Sequence, residues 1–188
     1  MYTYSLKSIT LTRRKSYLKK AFFFEKKIKL NKIEKKRIVL CHGVFDLLHI
    51  GHIYHFQQAK KHGEVLVVSV TPDKFVNKGP FKPVFNEDHR LESIASLEAV
   101  DYVYLNNKKT SVNVIKKLRP NIYCKGSEYK KIKNDITKEI KNEIQAINSV
   151  NGKIVYTSGE IFSSSKILNM NSNSNKAHDN TIRNIKNE

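Results

Sequence analysis

His42-Gly43-Val44-Phe45-Asp46-Leu47-Leu48-His49-Ile50-Gly51-His52 stands between a β-type run, Arg37–Cys41, and a stretch of helical spacing, Gly51–His62. A second β-branched run, Glu64–Val70, follows and ends at Thr71-Pro72, where the chain must turn. Strand, helix and strand in that rhythm predict a parallel pair with a crossover helix. In such sheets ligands bind beyond the carboxyl ends of the strands, so the quoted segment is the first place to look for chemistry. Gly43 lets backbone N–H groups approach an anion. Gly51 lies where the helix begins, so the helix N-terminus is available to a phosphate. His49 and His52 are three apart and share one face of the first turn. Two imidazoles in that place can donate hydrogen bonds to a phosphate whose charge grows during reaction.

The rest of the chain continues the alternation. Asn86–Leu97 reads as a helix, with Asn86 as N-cap and Glu87 and Asp88 in the first turn. Tyr102–Leu105 is a third strand, and Ser111–Leu118 a helix stopped by Pro120. Ile122–Cys124 is a fourth strand, Asp135–Val150 a longer helix ending near Asn151-Gly152, and Lys153–Tyr156 a fifth strand. Gly63 is read as the C-terminal cap of the first helix. Ser163–Asn169 opens a last short helix. The predicted class is α/β: a doubly wound, five-stranded parallel sheet with helices on both faces. No internal repeat is present.

Composition sets the outer limits. The 188 residues are 39% apolar, which supports one buried core and excludes a fibrous or wholly disordered chain. No apolar run approaches the ~18–20 residues of a membrane span, and no apolar segment of the ~7–15 residues of a secretory signal lies near the start. Cys41 and Cys124 are far apart in sequence and set in apolar runs, which suggests neither a disulfide framework nor a metal knuckle. A soluble, cytoplasmic protein is expected.

The net charge of +18 is unevenly spread. Residues 1–37 carry 13 Lys and Arg against 2 acidic residues, whereas 38–170 carry 19 against 13. Residues 1–35 are therefore read as a basic extension, 36–170 as the folded domain and 171–188 as a polar, disordered tail. The modest excess on the domain suits phosphorylated small molecules and calls for no specific nucleic acid. Within the extension, Leu11, Leu18, Phe22, Phe23 and Ile28 lie among lysines in the pattern of a basic amphipathic helix. Packing of its apolar face on the domain is the expectation, because three adjacent phenylalanines left in water invite aggregation. A solvated arm and attachment to an anionic surface are the other readings.

The eleven residues 42–52 resemble the signature of the cytidylyltransferase-like nucleotidyltransferase superfamily, a glycine-containing turn followed by His-x-Gly-His. That resemblance implies a Rossmann-like fold. It also implies catalytic roles for His49 and His52, and nucleotide contacts from Gly43, Val44, Phe45 and Gly51. Later segments agree with it. Val76-Asn77-Lys78-Gly79-Pro80 follows the second strand, where the family places a phosphate-contacting lysine, so Lys78 is the third catalytic candidate. Glu87-Asp88-His89-Arg90 looks like the family's helix opening, whose arginine helps bind nucleotide. Lys125-Gly126-Ser127-Glu128-Tyr129 resembles the Lys-Gly-Gly-Asp-Tyr element of heptose-phosphate adenylyltransferases, departing at Ser127 and Glu128. It adds Lys125 and Gly126 to the nucleotide site. Phe162-Ser163-Ser164-Ser165-Lys166 matches the element whose hydroxyls hold the triphosphate, which adds Ser163, Ser164 and Ser165.

The implied reaction is transfer of AMP or CMP from ATP or CTP to a phosphorylated sugar or small alcohol, with release of pyrophosphate. A heptose-1-phosphate-like acceptor and ATP are the first choice. Glycerol-3-phosphate or ethanolamine-phosphate cytidylyltransferase is the alternative, and an inactive nucleotide- or RNA-binding protein the rival of another class. Mg²⁺ is expected to arrive with the triphosphate, with no metal held by the protein. Asp46 is expected to shape the loop. A zinc site from His42, His49, His52 and His55 lacks the usual spacing. The resemblance further implies a homodimer, and a separate kinase to make the acceptor, since 188 residues leave no room for one.

Overall fold

The structure, a computed structural model, describes residues 36–76, 79, 82–130 and 139–158. The basic extension, Lys78, the start of the Asp135–Val150 helix, Ser163–Ser165 and the polar tail lie outside them. The described elements are β1 (Ile38–Gly43), α1 (Ile50–Lys60), β2 (Val65–Val70), α2 (Glu87–Ala95), β3 (Tyr102–Leu105), α3 (Val112–Leu118), β4 (Ile122–Lys125), α4 (Ile140–Ser149) and β5 (Lys153–Tyr156). Single 3₁₀ turns occupy Asp73–Phe75 and Ser127–Lys130. The five strands form one parallel sheet in the order β3-β2-β1-β4-β5. The chain works outward from β1 to β3, then crosses back to β4. The switch in strand order therefore falls between β1 and β4, and folds of this kind bind ligands beyond the carboxyl ends of the strands at that point.

Alternation along each strand sends side chains to two cores. Val39, Cys41, Leu66, Val68 and Val70 meet Phe56 and Ala59 of α1 and Leu91 and Ile94 of α2 on one face. Leu40, Val65, Val67 and Tyr123 meet Val114 and Ile115 of α3 and Ala146 and Ile147 of α4 on the other. Every residue of β2 is buried, the mark of a strand covered on both sides. Each fully buried Val or Leu side chain contributes roughly 1.5–3 kcal/mol over leaving it in water.

The expected caps hold in part. The Asn86 side chain accepts from the His89 N–H at 2.9 Å, an N-cap interaction typically worth ~1 kcal/mol. Gly63 is not the cap of α1: the helix passes to Lys61 in ordinary right-handed geometry, and Gly63 lacks a positive φ. Its small size matters instead, since a Cβ there would stand 2.5 Å from the Arg37 carbonyl oxygen. Cys41 and Cys124 are opposite one another in the β1–β4 register, both buried and both free thiols. Burial pushes the Cys41 thiol well up, with Cys124 adding to it.

Candidate active site at the carboxyl ends of β1 and β4

The turn after β1 is built around one ring. Phe45 adopts φ 52°, and Leu47 φ 49°, the left-handed region that a non-glycine residue enters only at a cost. Phe45 folds back over Gly43, where an added Cβ would stand 3.0 Å from its Cζ. The glycine is needed because the ring lies on it. The same ring touches His52 edge-on, with centroids 5.4 Å apart, and packs against Phe56 at 4.9 Å. Asp46 closes the turn by accepting the N–H groups of Val84 at 2.9 Å and Phe85 at 3.1 Å, with the Lys82 ammonium 3.9 Å away. It shapes the loop.

α1 begins directly after this turn. His49 is its N-cap residue, in extended geometry, with no side-chain capping hydrogen bond and no acidic residue in the first turn. The partial positive charge of the helix N-terminus is thus not offset by a local carboxylate. Both His52 N–H and Ile53 N–H close onto the His49 carbonyl, at 2.9 and 3.2 Å. That turn brings the His49 and His52 rings into a stack with centroids 3.8 Å apart. Burial holds the His49 pKa below its ordinary value. One turn on, the His55 Nδ1 pairs with Thr157 Oγ1 at 3.0 Å. Thr157 N–H donates to the Lys125 carbonyl at 2.9 Å, so α1 is tied to the end of β4. Burial, with Lys125 adding, takes His55 down to about 4.

Arg90 is the residue that the family resemblance assigns to the nucleotide. Its side chain is fully buried beneath the turn. Nη1 donates to the Val44 carbonyl at 2.5 Å, Nε to Phe85 O at 3.0 Å, and Nη2 to Thr71 O at 2.8 Å and Asp73 Oδ1 at 2.6 Å. One guanidinium thus joins the turn after β1, the end of β2 and the entry to α2. Asp73 also exchanges hydrogen bonds with Glu87, N–H to carboxylate in both directions. The sequence carried no signal for Asp73, whose partner lies 17 residues away.

Lys125 and Gly126 lie beside the turn, at the carboxyl end of β4. The Lys125 side chain is drawn inward, its ammonium 3.0 Å from Glu143 Oε2 and 4.4 Å from the Tyr129 ring centroid. Glu143 was missed, although a carboxylate among the apolar positions of α4 was a legible sign. His42 completes this side: Nδ1 lies 3.1 Å from Ser69 Oγ and Nε2 3.5 Å from the Lys109 carbonyl. Burial lowers it to about 4. Near Lys109 a cavity of about 780 Å³ runs along α3 and α4, lined by Lys108, Lys109, Asn113, Lys116 and Asn142 among others.

His42 pairs with Ser69 and His55 with Thr157. Among the described residues no three His, Cys, Asp or Glu side chains converge as a metal site. No helix among them is long and apolar enough to cross a membrane.

Residues 40–170 match the family model described as cytidylyltransferase-like. Bifunctional protein HldE of Aliarcobacter butzleri is 36% identical over 120 residues, covering 63% of this chain and 25% of that protein. Bifunctional protein HldE of Campylobacter fetus is 38% identical over 144 residues, covering 72% and 31%. The chain therefore spans between a quarter and a third of the length of these curated relatives. Among solved structures, the lipopolysaccharide core biosynthesis protein from Thermoplasma volcanium matches with a TM-score of 0.56 and 30% identity, over 67% of this chain and 99% of that one. A pantoate-beta-alanine ligase from Francisella tularensis shares the fold alone, with a TM-score of 0.51 at 17% identity, over 73% of this chain and 64% of that one. With the turn, the His-x-Gly-His helix start and the parallel sheet in place, the chain belongs to the cytidylyltransferase-like family of nucleotidyltransferases.

Proposed function

We propose that the chain catalyses attack of a phosphate monoester on the α-phosphorus of a nucleoside triphosphate, with pyrophosphate as leaving group. The observation that carries this reading is the stacked His49–His52 pair on a helix N-terminus at the strand-order switch. A phosphate oxygen forms the new bond to phosphorus, and the bond to the β-phosphate oxygen breaks. The nucleophile is largely ionised at pH 7, so no strong base is needed, and rate comes from alignment and charge stabilisation. The depressed pKa of His49 makes its ring neutral at pH 7, able to donate one N–H to a non-bridging oxygen. Lys78 and Ser163–Ser165 are assigned to the phosphates by resemblance. Arg90 is assigned to positioning, because it fixes the Val44 carbonyl from below.

The Lys125–Tyr129 element favours ATP and a heptose-phosphate-like acceptor, and the HldE relatives support that direction. Magnesium is proposed to enter on the oxygens of the triphosphate. The described residues do not assemble a site for it, and no step is assigned to it. A homodimer and a cytoplasmic location belong to the same proposal. Thermal-shift titrations with Mg·ATP and Mg·CTP test the nucleotide, since stabilisation grows as ln(1 + [L]/Kd). A shift with ATP exceeding that with CTP is expected. A shift with CTP alone would favour the glycerol-phosphate or ethanolamine-phosphate alternative.

A further inference from the structure

The buried positions of α4 are Ile140, Glu143, Ala146 and Ile147, so a carboxylate occupies a stripe that packing alone would fill with an aliphatic residue. Both of its oxygens are engaged. Oε2 lies 3.0 Å from the Lys125 ammonium and accepts the Tyr123 hydroxyl at 3.0 Å. Oε1 accepts the Ser111 hydroxyl at 2.8 Å and the Ser111 N–H at 3.2 Å. The Lys125 and Glu143 side chains are only 10% and 5% exposed. Desolvating two ions costs several kcal/mol each, and apolar residues of similar volume are often as stable. Stability therefore gives this pair little reason to exist. Its location gives it one: Lys125 ends β4 next to the strand-order switch, where this fold takes its ligand.

We propose that Glu143 is a positioning residue, holding the Lys125 ammonium fixed at the end of β4 to meet a phosphate of the bound nucleotide. The inference rests on the nucleotidyl-transfer reading. Burial by itself raises the Glu143 carboxyl, but Lys125, His42 and the Ser111 donors outweigh it and hold the group below its ordinary value. The carboxylate is thus ionised at neutral pH and serves as a permanent counter-ion. Tyr123 and Ser111 fix its plane, and Tyr123 remains a donor because burial and Glu143 push its hydroxyl well up.

Glu143→Gln keeps the shape and loses the charge, whereas Glu143→Asp keeps the charge and loses a methylene. Packing ranks Gln above Asp, and positioning of a cation ranks Asp above Gln. Initial rates of pyrophosphate release, expressed per folded protein, should show kcat/KM for the triphosphate falling ~10-fold or more in Gln and within ~3-fold of the unaltered chain in Asp. In a Lys125→Met background the advantage of Asp over Gln should disappear, because no cation is left to hold. That background also removes the unpaired charge that threatens folding of the Gln variant. An active unaltered chain with Gln at full rate and Asp impaired would overturn the role of Glu143 alone. An unaltered chain that releases no pyrophosphate would overturn the nucleotidyl-transfer reading, and this inference with it.

Discussion

The rings of His49 and His52 lie 3.8 Å apart, centroid to centroid, with their planes 22° from parallel. The i, i+3 spacing produces the stack, and the Phe45 ring meets His52 edge-on at 5.4 Å. Replacing His52 by Ala should lower kcat by ~10²-fold or more, the usual cost of removing one donor to a developing oxyanion. Nucleotide affinity should change much less, because the ground-state triphosphate keeps its other contacts. Steady-state kinetics beside calorimetric titration separate the two. Near-normal turnover in the variant would exclude His52 from the transition state.

Arg90 makes a different prediction, since it acts through the backbone it holds. Arg90→Ala leaves three carbonyls and the Asp73 carboxylate short of a buried partner, so unfolding should cost roughly 3 kcal/mol less. Urea denaturation measures this. Arg90→Lys should recover only part of it, because an ammonium cannot reproduce the guanidinium fork. A fully stable Ala variant with weakened nucleotide binding would return Arg90 to the nucleotide site.

Stability should fall as pH drops from about 6.5 to about 4. His42 and His55 are held near 4 in the folded chain, against an ordinary 6.5, with burial the leading cause in both. Between those values the unfolded chain binds the protons that the folded chain refuses. Each ring thus adds a slope of about 1.4 kcal/mol per pH unit, and neither contributes above pH 6.5. Urea midpoints from pH 8 to 4.5 would show the slope, and His55→Gln should remove about half of it. Stability that rises on acidification would contradict the assignment.

The order of elements was legible because apolar period and turn residues agree along the whole stretch: Tyr102–Leu105 and Lys153–Tyr156 hold to the residue. Gly63 was misread because sequence cannot separate a glycine needed for its φ from one needed for its size. The turn, the helix start and the histidine pair are local, and the sequence placed them together. The partners of Arg90 and Lys125 were not legible, because Asp73 and Glu143 sit 17 and 18 residues away and meet them only through tertiary packing. The opposition of Cys41 and Cys124 depends on the crossover that sets β4 beside β1, which no local pattern encodes.

The most direct test of nucleotidyl transfer is pyrophosphate release from purified protein, measured for ATP, CTP, GTP and UTP against a panel of sugar and alcohol phosphates with Mg²⁺ present. Release is predicted with ATP and a phosphorylated sugar together, absent when either is omitted, and reduced ~10²-fold or more by His52→Ala. No release from any pair, or release indifferent to the acceptor and to His52, would contradict the account.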